Sequence, residues 1–329
     1  MEALRKRLIN SDKNIITLFS IAVVIVFIMT CINTDFLDIS NIQAMSFQLP
    51  EFGILSFGMM ICMISGGIDL SLVGISNLSG IVAAVIIISM KGSLTGVLIG
   101  IAACILVGIL CGLFNGFLIG QLQIPAMLVT LCGGQLYTGL GMAITKGPAI
   151  TGLPDYFQII GNGTIGGIIP ISFIIFIAAA LAINFILKYT VLGKQICLMG
   201  SNSTASRYSG INNLRVTLST YVISGLLAAI SGIIIISHYG SAKSDYGSSY
   251  VLLTLLIVVL AGVDPAGGKG KVLGVGLTVV ILQLISSACN ILRFDSFTKS
   301  VIWGLMLILI MTIKYLINEY KFKIRRKVK

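Results

Sequence analysis

The sequence predicts an all-α, polytopic transmembrane helical bundle of about ten spans, forming one domain over residues 1–329. Three observations carry that expectation. The chain is 57% hydrophobic and 10% charged, with a mean hydropathy of +1.05, whereas soluble domains are about 25% charged. Apolar runs near the ~20 residues that a span needs recur along the whole length. The net charge of +11 is spread over the termini and short connections, so it presents no basic face to nucleic acid and points to a lipid bilayer instead.

Residues 1–14 carry Arg5, Lys6, Arg7 and Lys13 ahead of an apolar run from Ile15 to Ile32. That run is long for a signal peptide, and no small-x-small cleavage site follows it, so it reads as an uncleaved first span. The later spans read as 50–66, 72–90, 93–120, 124–145, 169–187, 216–237, 249–263, 272–291 and 299–317, before a basic tail at 318–329. Ten crossings place both termini on one side. The inner side then holds four cations in 1–14, four in 188–215, Lys269 and Lys271, and seven from Lys314 onward. Seventeen inside stand against five outside (Lys91, Lys146, Lys243, Arg293 and Lys299), the asymmetry of the positive-inside rule. Both termini and the 188–215 loop are expected in the cytoplasm of a multi-pass plasma-membrane protein.

Between spans, two stretches stand out. Residues 188–215 form the longest polar interruption, with Lys188, Lys194, Arg207, Arg215 and no carboxylate. Loops of that length inside compact proteins are usually functional. The reading is a docking element with a short helix over about Asn202 to Ser209; the alternative is a basic connector lying on lipid headgroups. Residues 147–170, polar and glycine-rich, read as either a passive outer loop or a re-entrant lid.

Within the spans, Gly96, Gly100, Gly108, Gly112, Gly116 and Gly120 recur at steps of four, with Cys104 in the gap. Each step advances about 40° around a helix of 3.6 residues per turn, so the stripe winds and suits oblique backbone-to-backbone crossings. Asp69, in Ser65-Gly66-Gly67-Ile68-Asp69-Leu70-Ser71, lies at a helix break. It reads as a pathway or gating carboxylate, or as a cap for the helix that begins near Leu70. Ala261-Gly262-Val263-Asp264-Pro265-Ala266-Gly267-Gly268 echoes it, and paired interruptions point to duplicated architecture. The stretch is no phosphate loop, since Gly270 stands where Ser or Thr is required.

Uncharged polar residues suited to a neutral polyol include Asn77, Asn115, Gln135, Tyr137, Thr138, Gln283, Ser286, Ser287 and Asn290, although helix–helix hydrogen bonding would place the same residues there. Seven scattered cysteines read as packing residues. No metal site, Ser/His/Asp set or Cys/His set is apparent. His238, the only histidine, is expected at the outer interface beside Tyr239 without a carboxylate partner, and Asp69 is the one ionisable candidate deep in the spans.

These motifs together resemble the integral-membrane permease subunits of sugar ABC importers, the ribose-type family that includes autoinducer-2 permeases. The resemblance rests on Gly66-Gly67-Ile68-Asp69-Leu70-Ser71, Gly112-Leu113-Phe114-Asn115-Gly116, Ile124-Pro125-Ala126 and Val129-Thr130-Leu131. It continues through Leu192-Gly193, Gly200, Ser209-Gly210-Ile211 and Gly267-Gly268-Lys269-Gly270. Many ribose-type members carry a glutamate and an aspartate after the position of Ser248, where this chain has Tyr250 to Thr254; with Tyr239 to Asp245 before it, the chain is more similar to the autoinducer-2-like branch. The resemblance implies a second permease chain, two ATP-binding subunits that hold the ATP, and an extracytoplasmic sugar-binding protein. It makes the 188–215 loop the coupling segment. For an importer's channel subunit the residues expected to couple are Gly193, Gly200, Asn202, Ala205, Arg207 and Gly210, with Asp69, Asn77 and Asn115 near the pathway or gate. Catalysis by the chain itself and a resident cofactor are not expected. The alternative function is an ion-coupled secondary transporter of a small polar solute.

Overall fold

The computed structural model describes the backbone of residues 2–327 and the side chains of 15–33, 36–295 and 297–312. The side chains of the basic N-terminal segment and of the tail at 318–329 lie outside the described residues. The order of helices is α1 (Glu2–Ile32), α2 (Ile39–Ile64), α3 (Leu72–Ser89), α4 (Leu94–Gly120), α5 (Ala126–Thr145), α6 (Asp155–Asn162) and α7 (Ile171–Tyr189). Then come α8 (Val191–Ser201), α9 (Ser203–Tyr208), α10 (Asn213–Tyr239), α11 (Tyr250–Leu260), α12 (Val272–Ile291) and α13 (Ser296–Lys327). A 3-10 turn at Thr34–Leu37 and four two-residue strands complete it: β1 (Ile150–Thr151), β2 (Thr164–Ile165), β3 (Ile169–Pro170) and β4 (Ser241–Ala242).

Among the described residues, eight helices are long and apolar enough to cross a bilayer, and two shorter apolar helical stretches lie at Tyr250–Leu260 and Phe297–Thr312. Ten apolar segments therefore exist, but the one expected over 249–263 is only the 11 residues of α11. At about 1.5 Å per residue it reaches ~16 Å, about half of a ~30 Å hydrocarbon core. The second span is longer than expected, because α2 runs straight through Pro50. A proline followed by a carboxylate reads as a helix start, yet here both lie mid-helix.

Buried α2, α3 and α10 form the centre, while α1, α5 and α7 leave most of their apolar surface open. Phe19, Phe27, Leu98, Leu128 and Leu181 are among the exposed large hydrophobic side chains, a distribution suited to lipid and costly in water. The glycine stripe of α4 winds as its spacing requires. Gly96 and Gly100 face Met90 and Ile87 around the α3 end, whereas Gly108, Gly112, Gly116 and Gly120 face Gly225, Tyr221, Leu218 and Leu214 of α10.

The 147–170 stretch is folded over the end of α10. Strand β1 pairs antiparallel with β4, Ile150 opposite Ala242, and β2 pairs with β3. In α6, the Gly161 N–H donates to Ser237 Oγ at 2.8 Å, and that hydroxyl donates to the Phe157 carbonyl at 2.7 Å.

Candidate functional site

Both glycine-rich breaks and the 188–215 loop meet at one point. After α2 ends, Gly66 turns the chain with φ +92°, and after α11, Gly267 and Gly268 do so at +91° and +80°; L side chains resist these angles. The Gly268 N–H donates to the Ile64 carbonyl at 2.7 Å. A β carbon on Gly200, in the last turn of α8, would lie 1.9 Å from Ile64 O, and one on Gly267 would lie 2.6 Å from Gly200 O. Three main-chain segments, distant in sequence, thus touch with no side chain between them.

The loop contains two helices where one was expected. Thr190 caps α8, its Oγ1 accepting from the Gly193 N–H at 3.2 Å. Gly193 is buried so closely against α7 that a β carbon would fall 2.2 Å from Ile186 O. Asn202 caps α9 by accepting from the Ala205 N–H at 2.9 Å, a bond typically worth ~1 kcal/mol. Asn213 then ties α9 to α10: its Nδ2 donates to Ser203 O at 2.8 Å and its Oδ1 accepts from Ser206 Oγ at 2.9 Å. Gly210 takes a φ of +79°. Of the coupling candidates, Gly193 is buried and Gly200 half-buried, and Asn202, Ala205, Arg207 and Gly210 are exposed. Arg207 lines a polar cleft of about 840 Å³ with Ser65, Gln123, Ser203, Asn213 and Thr217.

Just above the junction, Asp69 is fully buried. Its Oδ1 accepts from the Ser71 N–H at 3.1 Å and Ser71 Oγ at 2.6 Å, and its Oδ2 accepts from Ser224 Oγ of α10 at 2.7 Å. Ser71, the N-cap of α3, accepts in turn from Asn115 Nδ2 at 2.8 Å, and Tyr137 donates to Asn115 Oδ1 at 2.8 Å. The carboxylate therefore does more than cap α3, because the chain of bonds joins the break to α4, α5 and α10. Among the described residues no cation pairs with it; hydroxyls, an amide and the N-terminal end of α3 balance its charge. Asn77 stands apart from this network. It donates to Ser244 O at 2.9 Å and Tyr246 O at 2.8 Å, holding the turn before α11 against α3. Gln283 and Ser287 likewise bond neighbouring helices, through Gln48 and Asn41.

Residues 41–311, most of the chain, match the family described as branched-chain amino acid transport system / permease component. The chain belongs to that permease family. It is 35% identical over 288 residues to the ribose import permease protein of Bacillus subtilis (strain 168), covering 87% of this chain and 88% of the relative. It is 32% identical over 294 residues to the L-arabinose transport system permease protein of Escherichia coli (strain K12), covering 89% and 87%. No solved structure matches.

One part of the permease escaped the sequence reading. Glu51 is fully buried in the middle of α2. Its Oε1 lies 2.5 Å from His238 Nδ1, and its Oε2 accepts from the Tyr250 hydroxyl at 2.7 Å. His238 therefore has a carboxylate partner, and Asp69 is not alone as a deep ionisable group. A second span beginning at residue 50 sets Glu51 at a helix end; the longer α2 carries it inward. The one signal available was a carboxylate inside an apolar run with a single histidine elsewhere to match it.

Proposed function

We propose that this permease is the membrane subunit of an ATP-binding-cassette importer and forms the pathway for a neutral sugar or sugar-like molecule. The observation that carries the reading is the junction at Gly200, where the α8–α9 element meets both broken-helix regions chiefly through main chain, with the short Ser201 side chain against Gly268. A soluble motor gripping α9 would push directly on the breaks at 65–71 and 261–270, and through Ser71 on the Asp69–Asn115 network. ATP is held by that separate subunit, and an extracytoplasmic binding protein delivers substrate to the opposite face, with a second permease chain completing the pore. The relatives' names favour a pentose, while the stretches at 239–245 and 250–254 keep an autoinducer-2-like molecule as the competing substrate. In this reading both termini and α8–α9 face the cytoplasm, and Asp69, Asn77 and Asn115 line or brace the gate.

Ala205→Glu with Arg207→Glu tests the coupling assignment, since both positions are exposed. The double variant should insert normally and lose co-purification of the ATP-binding subunit; retained co-purification refutes the assignment. The Glu51–His238 pair favours the alternative, an ion-coupled transporter. Uptake that survives loss of the motor's phosphate-loop lysine but collapses with a protonophore would establish it.

A further inference from the structure

We propose that Glu51, His238 and Tyr250 form a proton-binding clasp that closes the end of the bundle opposite the 188–215 loop. Three elements converge on one carboxylate: α2 supplies it, α10 ends on it through His238, and α11 begins on it through Tyr250. The Glu51 carbonyl also accepts from Ser231 Oγ of α10 at 2.6 Å, which fixes the helix pair around the site. Glu51 lies about 20 Å along α2 from the break at Ile64, so it sits at the depth of the spans.

The two partners differ in access. Glu51 is fully enclosed, whereas the His238 side chain, at the end of α10, is 23% exposed. When the imidazole carries its second proton, its charge offsets the carboxylate's. When that proton leaves, a net negative charge remains in an apolar enclosure, which is expensive unless water or another proton enters. The clasp is thus tight while the imidazole carries its second proton and loosens when rising pH removes it.

The other groups around His238 do not supply that response. From α10 it faces Tyr239, with ring centroids 5.2 Å apart, and from α2 Phe47 at 6.3 Å. Tyr246 of the 240–249 turn packs on Tyr239 at a tilt, ring centroids 4.8 Å apart, and α6 contributes the uncharged Asn162 to the His238 carbonyl. Lys243 pairs with Asp245 at 2.8 Å on the same turn, and that carboxylate raises the Lys243 pKa, so its ammonium stays charged while the imidazole titrates.

Because α11 runs from Tyr250 to the 261–270 break at Gly200, what happens at the clasp is delivered to the coupling junction, and the reverse. This last link, and the statement that the clasp is extracytoplasmic, rest on the orientation and coupling given under Proposed function.

His238 being the only histidine, the full-length chain carrying 15N-imidazole histidine and a tag without histidine gives one signal that reports its protonation. In nanodiscs, amide protection of 241–250, corrected for intrinsic exchange rates, is measured alongside that signal from pH 5.5 to 8.5. Protection in the wild type should fall about tenfold in step with the imidazole titration. The step should vanish in Glu51→Gln and His238→Gln and flatten in Tyr250→Phe. Flat wild-type protection through the titration, or a step that survives in His238→Gln, overturns the clasp. Should Glu51→Gln fail to fold, the wild-type and His238→Gln profiles still decide. In vesicles of known sidedness, pH is then changed on one side only. A step that follows the side opposite Lys194 supports the outer location. One that follows the Lys194 side overturns the orientation and leaves the clasp standing.

Discussion

A β carbon on Gly112 would sit 2.3 Å from the Tyr221 carbonyl oxygen, whereas one on Gly276 would meet nothing within 4 Å. The obstacle at Gly112 is main chain, so no rotamer change relieves it. Gly112→Ala is therefore expected to cost at least about 1–3 kcal/mol. Gly276→Ala, in the second turn of α12, should be neutral or stabilising by up to ~1 kcal/mol. Thermal unfolding of the two purified variants in one detergent compares them directly. Asn115→Ala removes both the donor to Ser71 and the nearer acceptor for Tyr137, two buried bonds, and leaves Tyr137 with the Cys111 carbonyl at 3.2 Å. A loss of about 1–3 kcal/mol is expected in the same assay, and an unchanged transition would show that water replaces the amide.

At the scale of elements, α9 has six residues, too few to persist without its ends tied. Asn202→Ala should remove ~1 kcal/mol of capping and raise amide exchange through 203–208, while Asn202→Asp should keep both cap and exchange rate. Asn77→Ala should raise exchange in 244–247 and leave 203–208 untouched, since its bonds hold only the turn before α11. Much of this level was legible from residue types. The long apolar runs, the winding glycine row and the Asn202 cap follow from periodicity and capping chemistry. What was not legible depended on pairing across the chain. Nothing local to Pro50-Glu51 says that α2 runs through them, and nothing local to His238 says that a carboxylate 187 residues away meets it. The meeting of Gly66, Gly200 and Gly267 is hidden for the same reason: a glycine shows what it lacks, and only the fold shows what occupies the space.

At the scale of the whole molecule, sidedness is the property on which transport direction depends. Charge asymmetry predicts Lys194 inside and Lys243 outside, and α10 separates the two regions along its length. An impermeant amine reagent added to intact cells should label Lys243 and spare Lys194 until the membrane is opened, with peptide mass spectrometry as the readout. Labelling of Lys194 in sealed cells would invert the arrangement and remove the argument for a cytoplasmic motor. If the arrangement holds, the contact at Gly200 has a mechanical meaning. Side chains are the springs of a protein interior, and a joint of bare main chain has none. Force applied there is passed on undamped, so the lever that reaches the two breaks is either intact or lost, with little room for partial function between.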